Sequence, residues 1–224
     1  YFLSSITSLA VFFILLHYFA QSKKAVLFTT IAIISSASFI DYSSSGLENP
    51  LSHLISLIFI LILFNENNHP KKKIFLLSLC ASAGILTRYD TALLYVPALA
   101  FQVYENKDMF KATLFSVIKG FTPLILWELF SIIYYGFLFP NTYYAKAATA
   151  LSLSWKIKNG AYYFANSFEW DPTTLLIILA SIILTLAQKN NYKKTIALGV
   201  ILYAVYILTI GGDFMAGRFF LNIF

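Results

Sequence analysis

The sequence predicts an all-α protein, a polytopic bundle of about eight transmembrane helices. Of its 224 residues, 59% are hydrophobic and only 12% are charged, whereas soluble globular domains carry roughly 25% charged residues. The apolar residues form long runs, as membrane helices do, and the basic residues concentrate in alternate gaps between the runs. Together these observations favour a multi-pass membrane protein. The formal net charge of +6 then indicates membrane orientation, and no nucleic-acid partner is expected.

Eight apolar runs give the order of the predicted helices. They lie at about 3–20, 25–40, 51–64, 74–87, 91–104, 120–139, 173–188 and 195–210. Several are shorter than the roughly 20 residues that cross a hydrocarbon core, so we expect flanking polar residues to extend them to the interface. The chain starts without Met and stops inside an apolar run. We therefore interpret residues 1–224 as one transmembrane domain within a longer protein.

The lysine distribution predicts which side of the membrane each gap faces. One set of alternate gaps holds 11 of the 16 basic residues: Lys23, Lys24, Lys71, Lys72, Lys73, Lys107, Lys111, Lys119, Lys189, Lys193 and Lys194. The other set holds five basic residues and six of the ten acidic ones. Because Lys and Arg favour the cytoplasmic side, the second set is predicted to be extracytoplasmic. The lysine distribution therefore predicts a bacterial plasma-membrane protein with a polar site on its extracytoplasmic side.

The first outer stretch of interest is "DYSSSGLENP", residues 41–50. Glu48 and Asn49 directly precede Pro50, and proline is favoured in the first turn of a helix. In one interpretation Asn49 caps that helix while Glu48 stabilises its positive end. In the other, the same geometry holds the Glu48 carboxylate rigidly at the membrane surface, as catalysis or ligand binding requires. The residues favour the two equally.

A tight outer turn, "LTRYD", places Arg88 and Asp90 between two helices. Asp90 is suited to cap the following helix, and Arg88 complements the negative end of the preceding one. Arg88 would also lie in the headgroup layer, where a guanidinium group is suited to bidentate contact with a phosphate. Both interpretations stay open.

The longest outer element, residues 136–172, is predicted to be a loop that carries an interfacial helix. Its first part presents Asn141, Tyr144 and Lys146. An aromatic belt explains the tyrosine but explains Asn141 and Lys146 poorly. The second part is amphipathic, which indicates a helix lying on the membrane surface with its aromatic side chains toward lipid. These aromatic residues are Trp155, Tyr162, Tyr163 and Phe164.

The last outer element, "TIGGDFMAGRFF", spans residues 209–220. Gly211 and Gly212 suit a left-handed helix cap. Asp213 and Arg218 lie five positions apart around Gly217, close enough to pair with each other or to flank a charged ligand. A charge pair at a helix end also serves as a simple interfacial anchor.

One acid, Glu128, falls well inside an apolar run, so we expect it to face the bundle interior beside a partner that the sequence does not identify. Metal-ligand spacing, a phosphate-binding loop and a nucleophile motif do not occur in the sequence. We therefore predict no metal site and no certain cofactor. The candidate chemistry rests on the outer loops alone.

Four outer motifs, "SSGLENPL", "LTRYD", "YYGFLFPNTYYAK" and "GGDFMAGRFF", together resemble the bacterial GT-C family of membrane glycosyltransferases that includes the terminal arabinofuranosyltransferases of mycobacterial cell walls. They occur in the family's order across about residues 41–220. The chain departs from the family at Tyr89 and Ala216, where the family usually has Pro. The family's acidic catalytic motif usually lies in the first outer loop, so the resemblance places the main base before this chain begins.

The resemblance implies a GT-C bundle and a hexosyl- or pentosyltransferase. Such an enzyme takes a sugar from a polyprenyl-phosphate donor and passes it to a cell-envelope glycan or lipid acceptor on the extracytoplasmic side. Supporting carboxylates are then Glu48, Asp90 and Asp213. Substrate-binding residues are Arg88, Asn141, Tyr144, Lys146 and Arg218.

A transporter or flippase of lipid-linked sugars is the alternative function. It requires polar residues at the bilayer midplane and helices broken there by Gly or Pro. Glu128 and Gly84 are weak signs of such a path. Most other charges fall in the gaps between apolar runs, which favours an enzyme that works at the interface.

Overall fold

The computed structural model describes residues 1–141, 143–144 and 152–224, and its regular elements there are all helical. The helices are α1 (Phe2–Tyr18), α2 (Lys23–Ser35), α3 (Ala37–Ser43), α4 (Asn49–Phe64), α5 (Pro70–Thr87), α6 (Ala92–Glu105), α7 (Phe110–Gly120), α8 (Thr122–Tyr135), α9 (Leu153–Trp170), α10 (Pro172–Leu186), α11 (Asn191–Ile210) and α12 (Arg218–Leu221). Short 3₁₀ turns at Tyr89–Thr91 and Lys107–Met109 precede α6 and α7. The all-α prediction is confirmed for this part of the chain.

Polar caps begin new helices at Ser36, inside the predicted apolar run 25–40, and at Asp171, just before the run 173–188. The Ser36 hydroxyl accepts a hydrogen bond from the amide of Phe39, so α3 starts afresh one residue after α2 ends. The two helices meet at 72°. Asp171 likewise caps α10 by accepting from the amide of Thr174, and α9 and α10 meet at 111°. Side-chain oxygens thus satisfy amides that a continuous helix would have bonded internally.

The prediction of about eight transmembrane helices is wrong. Within the described residues, one helix, Asn191–Ile210, is long and apolar enough to cross a membrane alone, and up to four spans result if each of three bent pairs counts as one. The Ser36 cap divides the run at 25–40 into α2 and α3, and α1 and α4 have only 17 and 16 residues. About 20 residues are needed to cross a hydrocarbon core of roughly 30 Å.

Four helices, α4, α5, α6 and α11, run between the same two ends of the bundle. α5 packs against α4 and α6, and α6 packs against α11. At one end, Tyr192 at the start of α11 donates a hydrogen bond to Glu105 at the end of α6, and Lys73 at the start of α5 lies over the Tyr192 ring. At the other end lie the start of α4, the end of α5, the start of α6 and the end of α11. The lysine-rich gaps and the outer motifs therefore lie at opposite ends of these helices.

Two hydrophobic clusters hold the bundle together. The first joins α4, α5 and α6 through Phe59, Leu63, Leu77, Ala81, Tyr95, Ala98 and Leu99. The second joins α9, α10, α11 and α12 through Tyr163, Ile178, Tyr203, Ile207, Phe219 and Phe220. The second cluster lies directly against the outer motifs, because α12 follows the glycine-rich segment immediately.

Two aromatic side chains of α9 do not face lipid as expected. Tyr163 is buried and stacks on Phe220 at 5.3 Å between ring centroids, and its hydroxyl donates to the carbonyl of Met215 at 3.1 Å. Phe164 packs edge-on against the same Phe220 ring at 4.6 Å. The amphipathic pattern identified the helix but assigned these two residues to the wrong surroundings. They belong to the protein core beside α12.

Gly160 allows α9 and α11 to approach closely. A Cβ atom at this position would lie 2.2 Å from the backbone oxygen of Leu208. Small residues at helix contacts permit this approach in membrane proteins. We expect Gly160→Ala to destabilise the protein by about 1–3 kcal/mol, because backbone atoms must move to admit the methyl group.

Thermal unfolding of the detergent-solubilised full-length protein measures this effect. Ala165→Ser, a change at an exposed position of the same helix, is the matched control and should unfold at the wild-type temperature. Equal unfolding temperatures for Gly160→Ala and wild type would show that the two helices are not in close contact.

Candidate functional site

Three of the outer motifs meet at the end of the bundle away from the lysine-rich gaps. Glu48 immediately precedes α4, and Arg88 and Asp90 lie in the turn between α5 and α6. Asp213 and Arg218 come from the glycine-rich segment after α11. All five had been predicted as site residues, and the structure joins them in one ion-pair network. We call Glu48, Arg88, Asp90, Asp213 and Arg218 the charge network.

Glu48 is the bridge of the charge network. Its Oε1 atom accepts from Nη1 of Arg88 at 2.8 Å and from Nη2 of Arg218 at 2.9 Å. One carboxylate oxygen therefore holds two guanidinium groups that are 130 positions apart in the chain. Glu48 makes no side-chain cap of α4, so its role is to position the two arginines.

Arg88 is fixed from several directions. Its Nε and Nη2 atoms donate to the two oxygens of Asp90 at 3.0 and 2.6 Å, a bidentate pair. The guanidinium carbon also lies 4.8 Å from the centroid of the Phe219 ring. With its side chain only 11% exposed, Arg88 has little freedom to follow a ligand. It is better suited to organise the network than to bind substrate directly.

A chain of hydrogen-bonded, uncharged side chains supports Asp90. Tyr203 of α11 donates its hydroxyl to Asp90 at 2.9 Å, and Asn222 donates its amide to the Tyr203 hydroxyl at 2.8 Å. Asn49 in turn donates to the side-chain oxygen of Asn222 at 3.3 Å and to the carbonyl of Arg218 at 3.2 Å. Asn49 and Asp90 therefore do not cap helices with their side chains, so the capping predicted for each of them is wrong.

Arg218 has more freedom than Arg88. It donates to Asp213 at 3.4 Å and to Glu48, and its side chain is 21% exposed. Its buried Nε atom has no hydrogen-bond partner among the described residues. A buried donor without a partner is costly, so this guanidinium group is suited to donate one more hydrogen bond to a ligand oxygen.

The charge network sets the pKa of Glu48 below its ordinary value of 4.5. Burial alone would raise this pKa, but a backbone hydrogen bond and the guanidinium groups of Arg88 and Arg218 outweigh it. Burial likewise opposes the charge on Arg88, yet the hydrogen bonds to Asp90 and the charges of Asp90 and Glu48 raise the pKa of Arg88. Both groups are thus held in their charged forms.

A pH dependence of stability follows from Glu48. Its folded-state pKa lies below its unfolded-state pKa, so its contribution is complete above about pH 4.5 and is lost as the pH falls through the folded value. We expect the unfolding temperature of the wild type to fall below pH 4.5. Glu48→Gln should be less stable at neutral pH and should lose less on acidification.

Unfolding of the purified full-length protein between pH 7 and pH 3.5 measures this effect. Glu169→Gln, at an exposed position of α9, is the control and should keep the wild-type profile. A Glu48→Gln profile parallel to that of wild type over the whole range would rule out the stabilising role of the bridge.

Two of the other predicted substrate-binding residues, Asn141 and Tyr144, do not join the charge network. Asn141 is exposed. The Tyr144 hydroxyl accepts from the amide of Phe139 at 3.4 Å, and Lys146 lies outside the described residues. Phe139 does contact the ring of Tyr89, the neighbour of Arg88, at 6.1 Å. This contact brings the loop after α8 beside the turn that holds Arg88.

The sequence had left Glu128 without a named partner, and the structure supplies one. Tyr89 donates its hydroxyl to Oε1 of Glu128 at 2.6 Å. Burial, together with the hydrogen bond to Glu128 and its charge, raises the pKa of Tyr89 to about 12. Tyr89 thus stays protonated at neutral pH and ties α8 to the same turn.

Sequence reasoning missed Tyr203 and Asn222. Tyr203 lies in the middle of an apolar helix, where a tyrosine gives no signal that distinguishes it from its neighbours. Asn222 directly follows the segment "RFFL" of α12. Its polar side chain after three apolar residues was the signal in the sequence that could have identified it. Both are buried, and a buried polar side chain generally needs a partner.

An apolar cavity of about 410 Å³ is linked to the charge network by hydrogen bonds, although none of the five network residues lines it. Its walls come mainly from α1, α2, α4, α10 and α11. Among its few polar lining residues are His53, whose ring bonds to the carbonyl of Leu221, and Asn222. Because Asn222 belongs to the hydrogen-bond chain behind Asp90, the apolar cavity and the charge network adjoin.

Among the residues that the structure describes, no group of three or more His, Cys, Asp or Glu side chains could hold a metal ion. Each carboxylate of the charge network faces a guanidinium group instead. The described arrangement is therefore suited to an anionic ligand that competes for the arginines.

Comparison with known proteins gives one significant relative and no fold match. The chain is 26% identical over 210 residues to the "Terminal beta-(1->2)-arabinofuranosyltransferase" of Mycobacterium tuberculosis. The match covers 80% of this chain and 33% of that protein, so the chain spans about a third of its relative. No family model matches the sequence, and no solved structure matches it significantly. The match indicates a distant relationship to a glycosyltransferase.

Proposed function

We propose that this chain is part of a membrane glycosyltransferase of the GT-C type. It transfers a sugar from a polyprenyl-phosphate donor to a cell-envelope glycan or lipid acceptor on the extracytoplasmic side of a bacterial plasma membrane. The observation that carries the proposal is the junction of the charge network with the apolar cavity. The relative's name makes arabinofuranose the first sugar to test.

The junction matches the two chemical parts of such a donor. A polyprenyl chain is apolar and suits the cavity of about 410 Å³, although only its first few isoprene units would fit within it. A phosphate suits a guanidinium group with an unpartnered donor, and Arg218 offers its Nε atom. Asn222 lines the cavity and is connected through the Tyr203 hydroxyl to Asp90 of the charge network, so the two parts of the donor would bind on either side of this hydrogen-bond chain.

The arrangement of the helices supports an outward-facing site. The lysine-rich gaps lie at the opposite ends of α4, α5, α6 and α11 from the charge network. Lysine concentrates on the cytoplasmic side of membrane proteins. α11 has 20 residues, about 30 Å of helix, which is close to the thickness of a hydrocarbon core.

Transfer breaks the bond between the anomeric carbon and the phosphate oxygen and joins that carbon to the acceptor oxygen. The phosphate gains negative charge as it leaves, and the preorganised Arg218 guanidinium stabilises it. The acceptor hydroxyl passes its proton to a carboxylate base, which we assign to a part of the longer protein outside this chain. Glu48 and Asp90 position the arginines, and Asp213 is available to bind a sugar hydroxyl.

A flippase for lipid-linked sugars fits the structure less well. Its sequence signs were Gly84 and Glu128. Gly84 lies inside an uninterrupted α5, packed against the Tyr95 ring, and Glu128 accepts from Tyr89. Neither residue marks a broken helix of the kind that transport sites use.

Transfer of radiolabelled sugar from polyprenyl-phosphate donors tests the proposal. Membranes containing the full-length protein are compared with membranes that lack it, with arabinofuranosyl, other pentosyl and hexosyl donors in parallel. We expect protein-dependent incorporation into a glycan or lipid product. No incorporation from any donor, together with protein-dependent movement of the labelled donor across proteoliposomes, would replace the enzyme with the flippase.

A further inference from the structure

We infer that a polar cleft beside the charge network binds the sugar rings of the acceptor glycan. The identification of the ligand as the acceptor rests on the proposed function, but the binding of sugar to the cleft can be tested without it. The cleft has a volume of about 600 Å³ and lies between α9 and the segment after α11. Small-molecule sites commonly have about 300–1,000 Å³. It is separate from the apolar cavity, since the two share no lining residue.

The cleft offers hydrogen-bonding groups suited to hydroxyls. Asn159 and Asn166 of α9 line one side, and Asp213 lines the other. The Nδ2 atom of Asn159 is buried and, within the described residues, has no hydrogen-bond partner. An amide both donates and accepts, and a carboxylate accepts. A neutral ligand rich in hydroxyl groups would satisfy this set.

Two aromatic rings at the cleft are exposed. Tyr162 is 62% exposed and Phe214 is 87% exposed, and both are lining residues. The face of an aromatic ring carries partial negative charge, so it attracts the weakly positive C–H groups on one face of a sugar. The neighbouring Asp213, Asn159 and Asn166 favour a hydroxylated ligand over a lipid chain at this position.

The backbone of the cleft depends on Gly212. This residue has a φ of +73°, and a Cβ atom there would lie 2.4 Å from Cβ of Tyr163. Glycine thus lets the segment after α11 turn tightly against α9 and presents Asp213 and Phe214 to the cleft. Gly211 and Gly212, which were predicted to form a helix cap, also line the cleft.

Asp213 places the cleft directly beside the proposed donor phosphate. One of its oxygens accepts from Arg218 at 3.4 Å, and the residue also lines the cleft. A sugar in the cleft would therefore lie next to the guanidinium group assigned to the leaving phosphate. This is the relation that an acceptor must have to a donor for transfer between them.

Direct binding of a defined sugar tests the inference. The purified full-length protein in nanodiscs is titrated, without donor, with a propyl glycoside of an arabinofuranosyl disaccharide, and with propanol as the sugar-free control. We expect saturable binding of the disaccharide, about tenfold weaker in Phe214→Ala and in Asn159→Ala. Phe168→Ala, at another exposed aromatic position of α9, is the matched control and should bind as wild type.

Further variants separate a sugar site from a membrane anchor. Phe214→Trp keeps an aromatic face and should retain binding, whereas Phe214→Leu keeps hydrophobicity alone and should weaken it. Phe214 is largely exposed, so these variants are expected to fold. Absence of disaccharide binding to wild type, or equal binding by wild type, Phe214→Ala and Phe214→Leu, would overturn the inference. Sugar binding through the cleft in a protein that transfers nothing would contradict the proposed function and leave the cleft assignment intact.

Discussion

Arg88→Ala is expected to destabilise the folded protein by about 3–5 kcal/mol, because it leaves the buried Asp90 carboxylate without its cationic partner. Arg88 makes a bidentate pair with Asp90 and shares Glu48 with Arg218. Its loss removes the link between the turn after α5 and the start of α4. Thermal unfolding of the solubilised full-length protein measures the effect.

Two further variants identify the cause of that loss. Arg88→Lys keeps the charge but not the fork geometry, so it should be less destabilising than Arg88→Ala. The double change Arg88→Ala, Asp90→Asn should cost less than the sum of the single changes, because it also removes the carboxylate charge that Arg88→Ala leaves uncompensated. An Arg88→Ala protein as stable as wild type would exclude an organising role for Arg88.

Arg218→Gln is expected to lower the rate of sugar transfer by about 100-fold or more, with the protein still folded. Removing one preorganised donor from developing negative charge has effects of this size in other enzymes. Arg218 is more exposed than Arg88 and has an unpartnered Nε atom, so its loss should affect the reaction more than the fold. Single-turnover transfer from a labelled donor measures the rate.

Lys107→Ala, at the lysine-rich end of the bundle, is the control for general changes in charge and should transfer at the wild-type rate. Arg218→Lys should be intermediate, because it keeps the positive charge without the planar fork. Transfer by Arg218→Gln at the wild-type rate would remove Arg218 from the reaction.

The sequence predicted the helical class and the composition of the charge network well, for a clear physical reason. A charged residue between apolar runs needs a role, whether in topology, pairing or binding. Glu48, Arg88, Asp90, Asp213 and Arg218 were therefore visible without any structure. Their pairing was partly visible too, since Asp213 and Arg218 were expected to be within reach of each other.

The sequence could not predict the number of spans or the neutral partners of the network. The apolar run at 25–40 does not show that Ser36 will cap a new helix, because serine also occurs inside helices. Tyr203 and Asn222 act through contacts across the bundle that depend on packing. The lipid-facing position predicted for Tyr163 failed for the same reason, since α12 covers that face.

Photo-crosslinking of the donor lipid tests the central claim most directly. A polyprenyl phosphate with a diazirine on the isoprene unit next to the phosphate is bound to the full-length protein in nanodiscs, and the labelled peptides are identified. We predict labelling in residues 46–57 and 211–224, suppressed by an excess of unmodified polyprenyl phosphate. Labelling confined to the lysine-rich end, around Lys71–Lys73 and Lys189–Lys194, would contradict a donor site at the charge network.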